Sequence, residues 1–279
     1  MKIPASEKRT LEQIREHYEI EKILANKLRN ASKEERRYLY RTLYDELFRR
    51  VPHHPQLAIK SNSKSQQAAV SIRMRFLKRF LGPESTFIEV GPGDCSLSIE
   101  VTKCVKKVYA IDVSEQITNR ETFPQNFELI ISDGCSIPVS ENSINIAYSD
   151  QLMEHLHPDD AFDQIQNIYK ALSSGGVYIC ITPNYLSGPH DVSKYFDKVA
   201  TGFHIKEYTV TELSNLFQKA GFSKIDAYMG GRGIYIKFPL FLTKLLERFL
   251  LILEYPLREK IANTLGCKKL LNIIIMGRK

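Results

Sequence analysis

The stretch that decides the fold runs from residue 87 to 101 and reads FIEVGPGDCSLSIEV. It begins with an apolar strand pattern that contains Glu89, continues through Gly91 and Gly93, and passes into a helix that should start near Cys95. Glycines at such a turn let the backbone approach a ligand closely, because no Cβ stands in the way. The stretch therefore predicts a nucleotide-binding strand, loop and helix.

Further strands and helices alternate on the C-terminal side of this stretch. Short runs rich in Val and Ile lie between helices or crossovers, a pattern typical of a buried, mainly parallel sheet. The predicted strands cover residues 107–112, 127–132, 144–149, 175–183, 223–230 and 270–278, and the predicted helices cover 159–172 and 209–222. We therefore expect an α/β fold, doubly wound around a mostly parallel seven-stranded sheet with an antiparallel last strand.

Helical segments flank this pattern. Residues 7–50 carry apolar side chains at helical spacing, and a further helix covers 64–80. We divide the chain into an N-terminal helical segment, 1–80, and a main domain, 81–279. The segment 238–265 is a helical insertion before the last strand, too charged to span a bilayer but apolar on one face. It is open whether this insertion is a lid, a dimer surface, a contact with the membrane surface or a helix packed on its own domain.

The composition restricts partners and location. The chain has 39 basic and 32 acidic residues, and the basic excess lies mainly in residues 22–80 and at the extreme C-terminus. A solvated basic surface explains this excess better than a nucleic-acid partner does. Five cysteines stand without any C-x-x-C spacing, which argues against zinc. The first residues lack the apolar core of a signal peptide, and we expect a cytoplasmic protein.

The acid Glu89 separates two classes of cofactor. A dinucleotide-binding loop would have a third glycine where Ser96 stands, and a carboxylate beside a pyrophosphate would be repelled. A cationic ligand would instead be attracted to Glu89, because the sulfonium and the α-amino group of S-adenosylmethionine both favour a nearby carboxylate. The sequence thus predicts S-adenosylmethionine and leaves a hydride-transferring dehydrogenase as the weaker alternative.

Two further acids stand at the ends of the next strands. Asp112 can accept hydrogen bonds from ribose hydroxyls, and Asp133 stands where an adenine amino group could be read. Each acid alone is better explained as a turn residue or a helix cap, so the prediction depends on their order and spacing. The predicted cofactor-binding residues are Glu89, Gly91, Pro92, Gly93, Asp94, Asp112, Val113, Asp133, Gly134 and Asp150.

Residues 80–235 resemble the class I S-adenosylmethionine-dependent methyltransferase family. The resemblance lies in the first motif of that family, (Asp/Glu)-x-Gly-x-Gly-x-Gly, here with Cys95 at the third glycine. It continues in the stretches SDQLMEHL, SSGGVYICITPN and HIKEYTVTELSNLFQKAGF. The resemblance implies a Rossmann-like fold and methyl transfer, with S-adenosylhomocysteine as the second product.

Four histidines are candidates for the proton acceptor that a hydroxyl nucleophile needs. His155 is the first choice, since it follows the fourth strand at the ligand-binding edge of the sheet. His157 precedes two acids at a helix start, which capping explains better than a metal site, and we predict no metal. His190 and His204 lie in the long loop 184–209, which either recognises the acceptor or only packs through its aromatic residues.

The acceptor is the least determined part of the prediction. The N-terminal helices, the PHD-containing loop and the apolar helix before the last strand are similar to those of bacterial methyltransferases that modify small molecules, glycans or lipid-linked intermediates. The lack of an appended nucleic-acid module, together with the inserted loop, favours a hydroxyl of a small molecule as the acceptor. Methylation of RNA or protein is an alternative, motivated by Tyr38, Tyr40 and Tyr44 among basic residues. A protein that binds the cofactor without catalysis is another.

Overall fold

Eight strands of the described chain form one sheet. The computed structural model describes residues 7–55, 57, 63–114 and 123–279. In chain order from β1 to β8 the strands are Thr86–Val90, Lys107–Asp112, Phe127–Ile131, Ile144–Asp150, Leu172–Thr182, Lys224–Gly231, Ile234–Phe238 and Ile273–Arg278. They lie side by side in the order β3-β2-β1-β4-β5-β8-β6-β7.

The first five strands run parallel, and β8 runs antiparallel between β5 and β6. The prediction of a doubly wound α/β fold with an antiparallel last strand is confirmed. From β1 the chain proceeds to β2 and β3 on one side and then crosses to β4 on the other. Such a reversal of strand order opens a crevice at the carboxyl ends of the central strands, and ligands of open α/β sheets bind there.

The prediction of seven strands is wrong by one. The unpredicted strand β7 pairs with β6 as a hairpin at the sheet edge, through a turn in which Arg232 and Gly233 have positive φ angles of 54° and 80°. In the sequence, the apolar residues of β7 continue through Pro239 into the apolar insertion. In the structure, Pro239 separates β7 from the helix that begins at Leu240. Periodicity does not separate a strand from a helix in apolar runs of this kind.

Nine α-helices surround the sheet in the part of the chain that the structure describes. From α1 to α9 they are Leu11–Asn30, Lys33–Arg50, Ser63–Leu77, Ser96–Val101, Pro158–Ala171, Val210–Ala220, Leu240–Ile252, Tyr255–Ala262 and Leu265–Leu271. Strand residues alternate between two apolar cores, because Ile88 and Ile275 belong to one core and Phe87 and Ile274 to the other. Helices therefore cover both faces of the sheet.

The predicted N-terminal helical region divides into α1 and α2. The side chain of Ser32 accepts a hydrogen bond from the Glu35 backbone, and the Glu35 side chain accepts one from the Ser32 backbone, which starts α2 with a reciprocal cap. Leu24 of α1 and Leu43 of α2 belong to the same apolar core as Ile88 of the sheet. The two helices thus pack directly on the main domain.

No α-helix among the described residues has the length and apolar character needed to cross a membrane.

A buried ion pair joins α2 to α5. Arg36 donates from Nε and Nη2 to the two carboxylate oxygens of Asp160 at 2.6 and 2.8 Å, and Tyr40 Oη donates to the same carboxylate at 2.7 Å. Burial opposes the ionisation of Asp160, but the hydrogen bonds from Arg36 and Tyr40 hold its pKa below the ordinary value. Tyr40 Oη also accepts from the His157 backbone at 2.8 Å. This network fixes α2 at the start of α5.

Replacing Arg36 with Met should destabilise the protein by about 3–5 kcal/mol, because the Asp160 carboxylate would stay buried without its charged partner. Urea unfolding followed by circular dichroism measures this loss. Arg50→Met on the same helix removes an exposed pair with Glu46 and should cost less than about 1 kcal/mol. Equal losses in the two variants would contradict the structural role of the buried pair.

Candidate active site

The loop after β1 has three residues in the left-handed region of backbone conformation. Gly91, Gly93 and Cys95 have φ angles of 71°, 58° and 61°. Cys95 therefore adopts, at the third motif position, a conformation that glycine takes most easily. Its side chain is buried in an apolar core together with Leu97. The tight turn before α4 is thus kept although a side chain replaces the third glycine.

Asp112 ends β2 beside this loop. One of its carboxylate oxygens accepts from the Gly93 backbone N–H at 3.3 Å, and the other accepts from the backbone N–H groups of Val113 and Ser114 at 2.7 and 3.3 Å. Burial raises the pKa of Asp112, and these three hydrogen bonds oppose that rise. Asp112 therefore ties the end of the second strand to the glycine loop.

Glu89 is buried behind the loop. Its carboxyl group accepts a hydrogen bond from Ser98 Oγ. Burial raises the pKa of Glu89 to about 8, although Ser98 and the Arg73 guanidinium oppose the rise. Arg73 is itself paired, since its Nε lies 2.5 Å from Asp150 Oδ2. At neutral pH the Glu89 carboxyl is therefore largely protonated, and a cation placed near it would favour its ionisation.

A cavity of about 400 Å³, called the first cavity below, opens at the carboxyl ends of β1, β2 and β3. Half of the predicted cofactor residues line it, namely Gly91, Gly93, Asp112, Val113 and Gly134. The others stand outside its lining, namely Glu89, Pro92, Asp94, Asp133 and Asp150. Its position at the strand-order reversal and its volume suit a nucleoside-sized ligand.

The carboxylate of Asp133 accepts hydrogen bonds from its own loop. It accepts from the backbone N–H groups of Cys135 and Ser136 at 3.0 and 2.7 Å, and Arg37 Nε lies 3.3 Å from its second oxygen. Burial opposes ionisation, but these hydrogen bonds and the Arg37 charge hold the pKa of Asp133 below its usual value. Asp94 is similarly used, because it accepts from the Ser96 backbone at the start of α4. Both acids shape the backbone around the cavity.

Helix α2 covers the first cavity with a row of aromatic side chains. Tyr40, Tyr44 and Phe48 are spaced four residues apart and all line the cavity. Of the three tyrosines that motivated the alternative of RNA or protein methylation, Tyr40 is buried, Tyr44 faces the cavity and Tyr38 is 69% exposed. The sequence signal for this row was its spacing on one face of a predicted helix.

Gln164 is a cavity residue that sequence reasoning missed. Its amide nitrogen donates to the Gly134 carbonyl at 2.6 Å, and its Oε1 is buried with no hydrogen-bond partner among the described residues. Buried acceptors without a partner are uncommon. The available signal was a polar residue within the buried stripe of α5, between Ala161 and Ile168.

A second cavity, of about 200 Å³, shares Tyr44 and His155 with the first. Residues of α1, of α2 and of the loop between β5 and α6 enclose it. Its lining is rich in histidine and includes His17, His54, His155, His190 and His204. The structure therefore brings three of the four candidate histidines to one cavity.

The remaining candidate, His157, lies outside that lining and caps α5. Its Nδ1 accepts from the Asp159 backbone at 3.3 Å, which fits the capping explanation. The loop after β5 both lines the second cavity and packs on α1, where the rings of Phe196 and Tyr18 have centroids 4.5 Å apart. The two interpretations of this loop, acceptor recognition and aromatic packing, are thus compatible.

The pKa values of His155 and His204 shift in opposite directions. Burial and the neighbouring His204 lower the pKa of His155 to about 4, so its ring is neutral at pH 7. Burial opposes protonation of His204, but Glu207 Oε1, 2.7 Å from its Nδ1, raises the pKa of His204. His155 Nδ1 lies 2.8 Å from Tyr44 Oη and 3.0 Å from the Phe203 carbonyl oxygen. These contacts orient the ring and leave Nε2 as the nitrogen available to a ligand.

Two groups of described side chains have a spacing that could hold a metal ion. They are His17, Glu21 and His54 in one group, and Glu154, His155 and His204 in the other. In the first group, His17 Nε2 lies 2.6 Å from Glu21 Oε2, and its Nδ1 faces the Arg9 guanidinium at 2.7 Å. A hydrogen-bonded histidine beside an arginine is a poor position for a second cation. The absence of a metal in this protein stays a prediction.

Solved structures of other proteins share this fold. A 1,6-didemethyltoxoflavin-N1-methyltransferase of Burkholderia thailandensis is 14% identical, with a TM-score of 0.54, and the match covers 89% of this chain and 91% of that one. Phosphoethanolamine N-methyltransferase 1 of Haemonchus contortus is 14% identical, with a TM-score of 0.57, covering 89% of this chain and 50% of that one. A SAM-dependent methyltransferase of Archaeoglobus fulgidus is 15% identical, with a TM-score of 0.52, covering 78% and 96%.

The sequence itself gives the family. A search of curated proteins finds no match. A family profile described as "Methyltransferase domain" matches residues 61–227, more than half of the chain, and this range contains the glycine loop and the ends of β1, β2 and β3 at the first cavity. The chain therefore belongs to this methyltransferase family and is an enzyme that uses S-adenosylmethionine as its cofactor.

Proposed function

We propose that the enzyme methylates a hydroxyl group of a small polar molecule that binds in the second cavity. The observation that carries this proposal is that the second cavity meets the first at Tyr44 and His155. An acceptor in the second cavity would lie next to the cofactor, with a neutral histidine at the junction. Direct transfer requires such proximity, because the acceptor oxygen must face the methyl carbon.

The first cavity supports the proposed cofactor-binding residues. A Cβ on Gly93 would meet no described atom within 4 Å, so the loop backbone leaves room for a ligand. Asp112 lies at the cavity wall, where its carboxylate can accept from ribose hydroxyls. Glu89 provides a carboxyl group behind the loop that a cation would stabilise in its ionised form. S-adenosylmethionine, when bound, supplies a methyl group on a positively charged sulfur.

His155 is the proposed proton acceptor. Its ring is unprotonated at neutral pH, because burial lowers its pKa to about 4. Tyr44 and the Phe203 carbonyl hold one ring nitrogen, so that the other can face a hydroxyl. The carboxylates of Glu21 and Glu207 favour the charged form of the ring, but burial and His204 outweigh them and keep its pKa low.

The lining of the second cavity supports a polar acceptor. It contains the cationic side chains of Arg9 and Lys194 and the carboxylates of Glu21 and Asp191. A hydroxyl both donates and accepts hydrogen bonds, so a molecule with several hydroxyls, such as a sugar, suits this mixture. Two of the structures with the same fold are N-methyltransferases by name, and a nitrogen acceptor is the second candidate.

His155→Gln should lower the rate of methyl transfer about a hundredfold or more, because general-base catalysis contributes about 10²–10⁴-fold. Activity is measured with an isotopically labelled methyl group and a panel of sugars, phenols and amines, and mass spectrometry locates the methyl on oxygen or nitrogen. His157→Gln is the matched control, because His157 lies outside both cavity linings. Full activity of His155→Gln, or transfer to nitrogen alone, would reject this proposal.

The affinity for S-adenosylmethionine should rise from about pH 6 to about pH 7.5. Glu89 has a raised pKa of about 8 and is protonated in this range, and a bound cation favours its ionised form, so binding releases a proton. The affinity should then rise by up to about tenfold per pH unit below that pKa. Calorimetric titration in buffers of different ionisation enthalpy measures the proton release.

Glu89→Gln is the control for this linkage, since it keeps the size of the side chain and removes its titration. The remaining pH dependence then reports groups other than Glu89, such as the amino group of the cofactor. An unchanged proton release in Glu89→Gln would show that another group titrates on binding.

Gln164 is the proposed reader of the adenine amino group. Its Oε1 has no hydrogen-bond partner among the described residues, whereas both oxygens of Asp133 are occupied. Gln164→Met should weaken binding of S-adenosylhomocysteine about fivefold, the effect of one ordinary hydrogen bond. Binding of S-inosylhomocysteine, which has an oxygen in place of the amino group, should stay unchanged.

Asn167→Leu is the matched control for this test. Asn167 donates to the Cys135 carbonyl at 3.1 Å from the next turn of α5 and is not part of the cavity lining. The Asn167→Leu variant should keep the preference for S-adenosylhomocysteine over S-inosylhomocysteine. If Gln164→Met weakens the binding of S-adenosylhomocysteine and S-inosylhomocysteine equally, Gln164 only holds the loop at Gly134 and does not read the adenine.

A further inference from the structure

Helix α7 is held with a polar face inward. Its buried residues are Thr243, Glu247 and Leu250. The Glu247 carboxylate accepts from the backbone N–H groups of Val210 and Thr211 at 2.6 and 2.8 Å, and it also accepts from two side chains. A carboxylate at the N-terminus of α6 is favourable, because the first N–H groups of a helix lack partners within it. These bonds fix the rotation of α7 about its own axis.

The opposite face of α7 is apolar and exposed. It carries Phe241, Leu245, Phe249 and Ile252, whose exposed fractions run from 54% for Phe249 to 84% for Ile252. Spacings of four, four and three residues place these side chains in one row. A surface helix normally turns such a row toward the core, so its arrangement here is reversed. A contiguous exposed apolar row marks a surface that another body covers.

The segment that carries this row is rich in basic side chains. The segment from α7 to α9 contains six of them: Lys244, Arg248, Arg258, Lys260, Lys268 and Lys269. None of the six has a carboxylate within 4.0 Å in the described part of the chain. The exposed acids of the segment are Glu254 and Glu259, since Glu247 is buried. An apolar row with an excess of unpaired cations is the composition of a helix that lies on an anionic lipid surface.

We propose that the α7 row, defined as Phe241, Leu245, Phe249 and Ile252, inserts into the surface of an anionic membrane. Lys244 and Arg248, which lie on the same helix, would then be close to the lipid head groups. A second copy of this chain fits the row less well, because pairing two such faces brings like charges together. The proposal concerns the location of the enzyme and does not depend on the identity of the methyl acceptor.

Sedimentation with lipid vesicles tests the proposal. The full chain should bind vesicles of equimolar phosphatidylcholine and phosphatidylglycerol, bind phosphatidylcholine vesicles much more weakly, and lose binding as salt is raised. Phe241→Ser/Leu245→Ser/Phe249→Ser should bind the anionic vesicles at least about tenfold more weakly. These side chains are exposed, so the variant should keep its circular dichroism spectrum and its affinity for S-adenosylmethionine.

Leu11→Ser/Ile23→Ser is the matched control, because both residues are exposed apolar side chains on α1. It should bind the anionic vesicles like the unaltered chain. Equal vesicle binding by the α7 variant and the unaltered chain would overturn the proposal. So would a concentration-dependent dimer in sedimentation velocity that the α7 variant abolishes, because the row would then belong to a second copy.

Discussion

The buried ion pair between Arg36 and Asp160 determines where the two cavities lie. Burying two charges is costly unless further hydrogen bonds accompany them, and here Arg36 donates twice while Tyr40 adds a third bond to the same carboxylate. The pair holds α2 at the start of α5, beside the carboxyl ends of the strands. Tyr44, one turn beyond Tyr40, then lies at the wall that both cavities share.

The main features of the cofactor cavity follow from the sequence because parallel strands end at one edge of the sheet. Gly93, Asp112 and Gly134 are far apart in the chain, yet each lies at or just after the carboxyl end of a strand. The strand order alone brings them to one cavity. The role of Asp133 does not follow in the same way. One carboxylate oxygen accepts a hydrogen bond from the backbone of its own turn, and the other pairs with Arg37 of α2. The pattern of strands does not predict where α2 lies.

The histidines show a second limit of sequence reasoning. Their positions after the fourth and fifth strands predict that they lie near the acceptor, and three of them share one cavity. Their charges depend on neighbours instead. Glu207 raises the pKa of His204, whereas burial and the neighbouring His204 lower the pKa of His155. The pKa values of two histidines of similar sequence context thus shift in opposite directions because their neighbours differ.

Helix α7 illustrates how one buried polar group can override an apolar pattern. Its sequence is amphipathic, and the hydrophobic effect alone would turn the row of Phe241 and Leu245 toward the core. That rotation would remove Glu247 from the N-terminus of α6 and leave the backbone N–H groups of Val210 and Thr211 without their acceptor. Periodicity reveals that such a helix has two faces, but the partners of Glu247 decide which face is inside. The exposed row is therefore a consequence of specific hydrogen bonds, and its exposure is a fixed property of the fold.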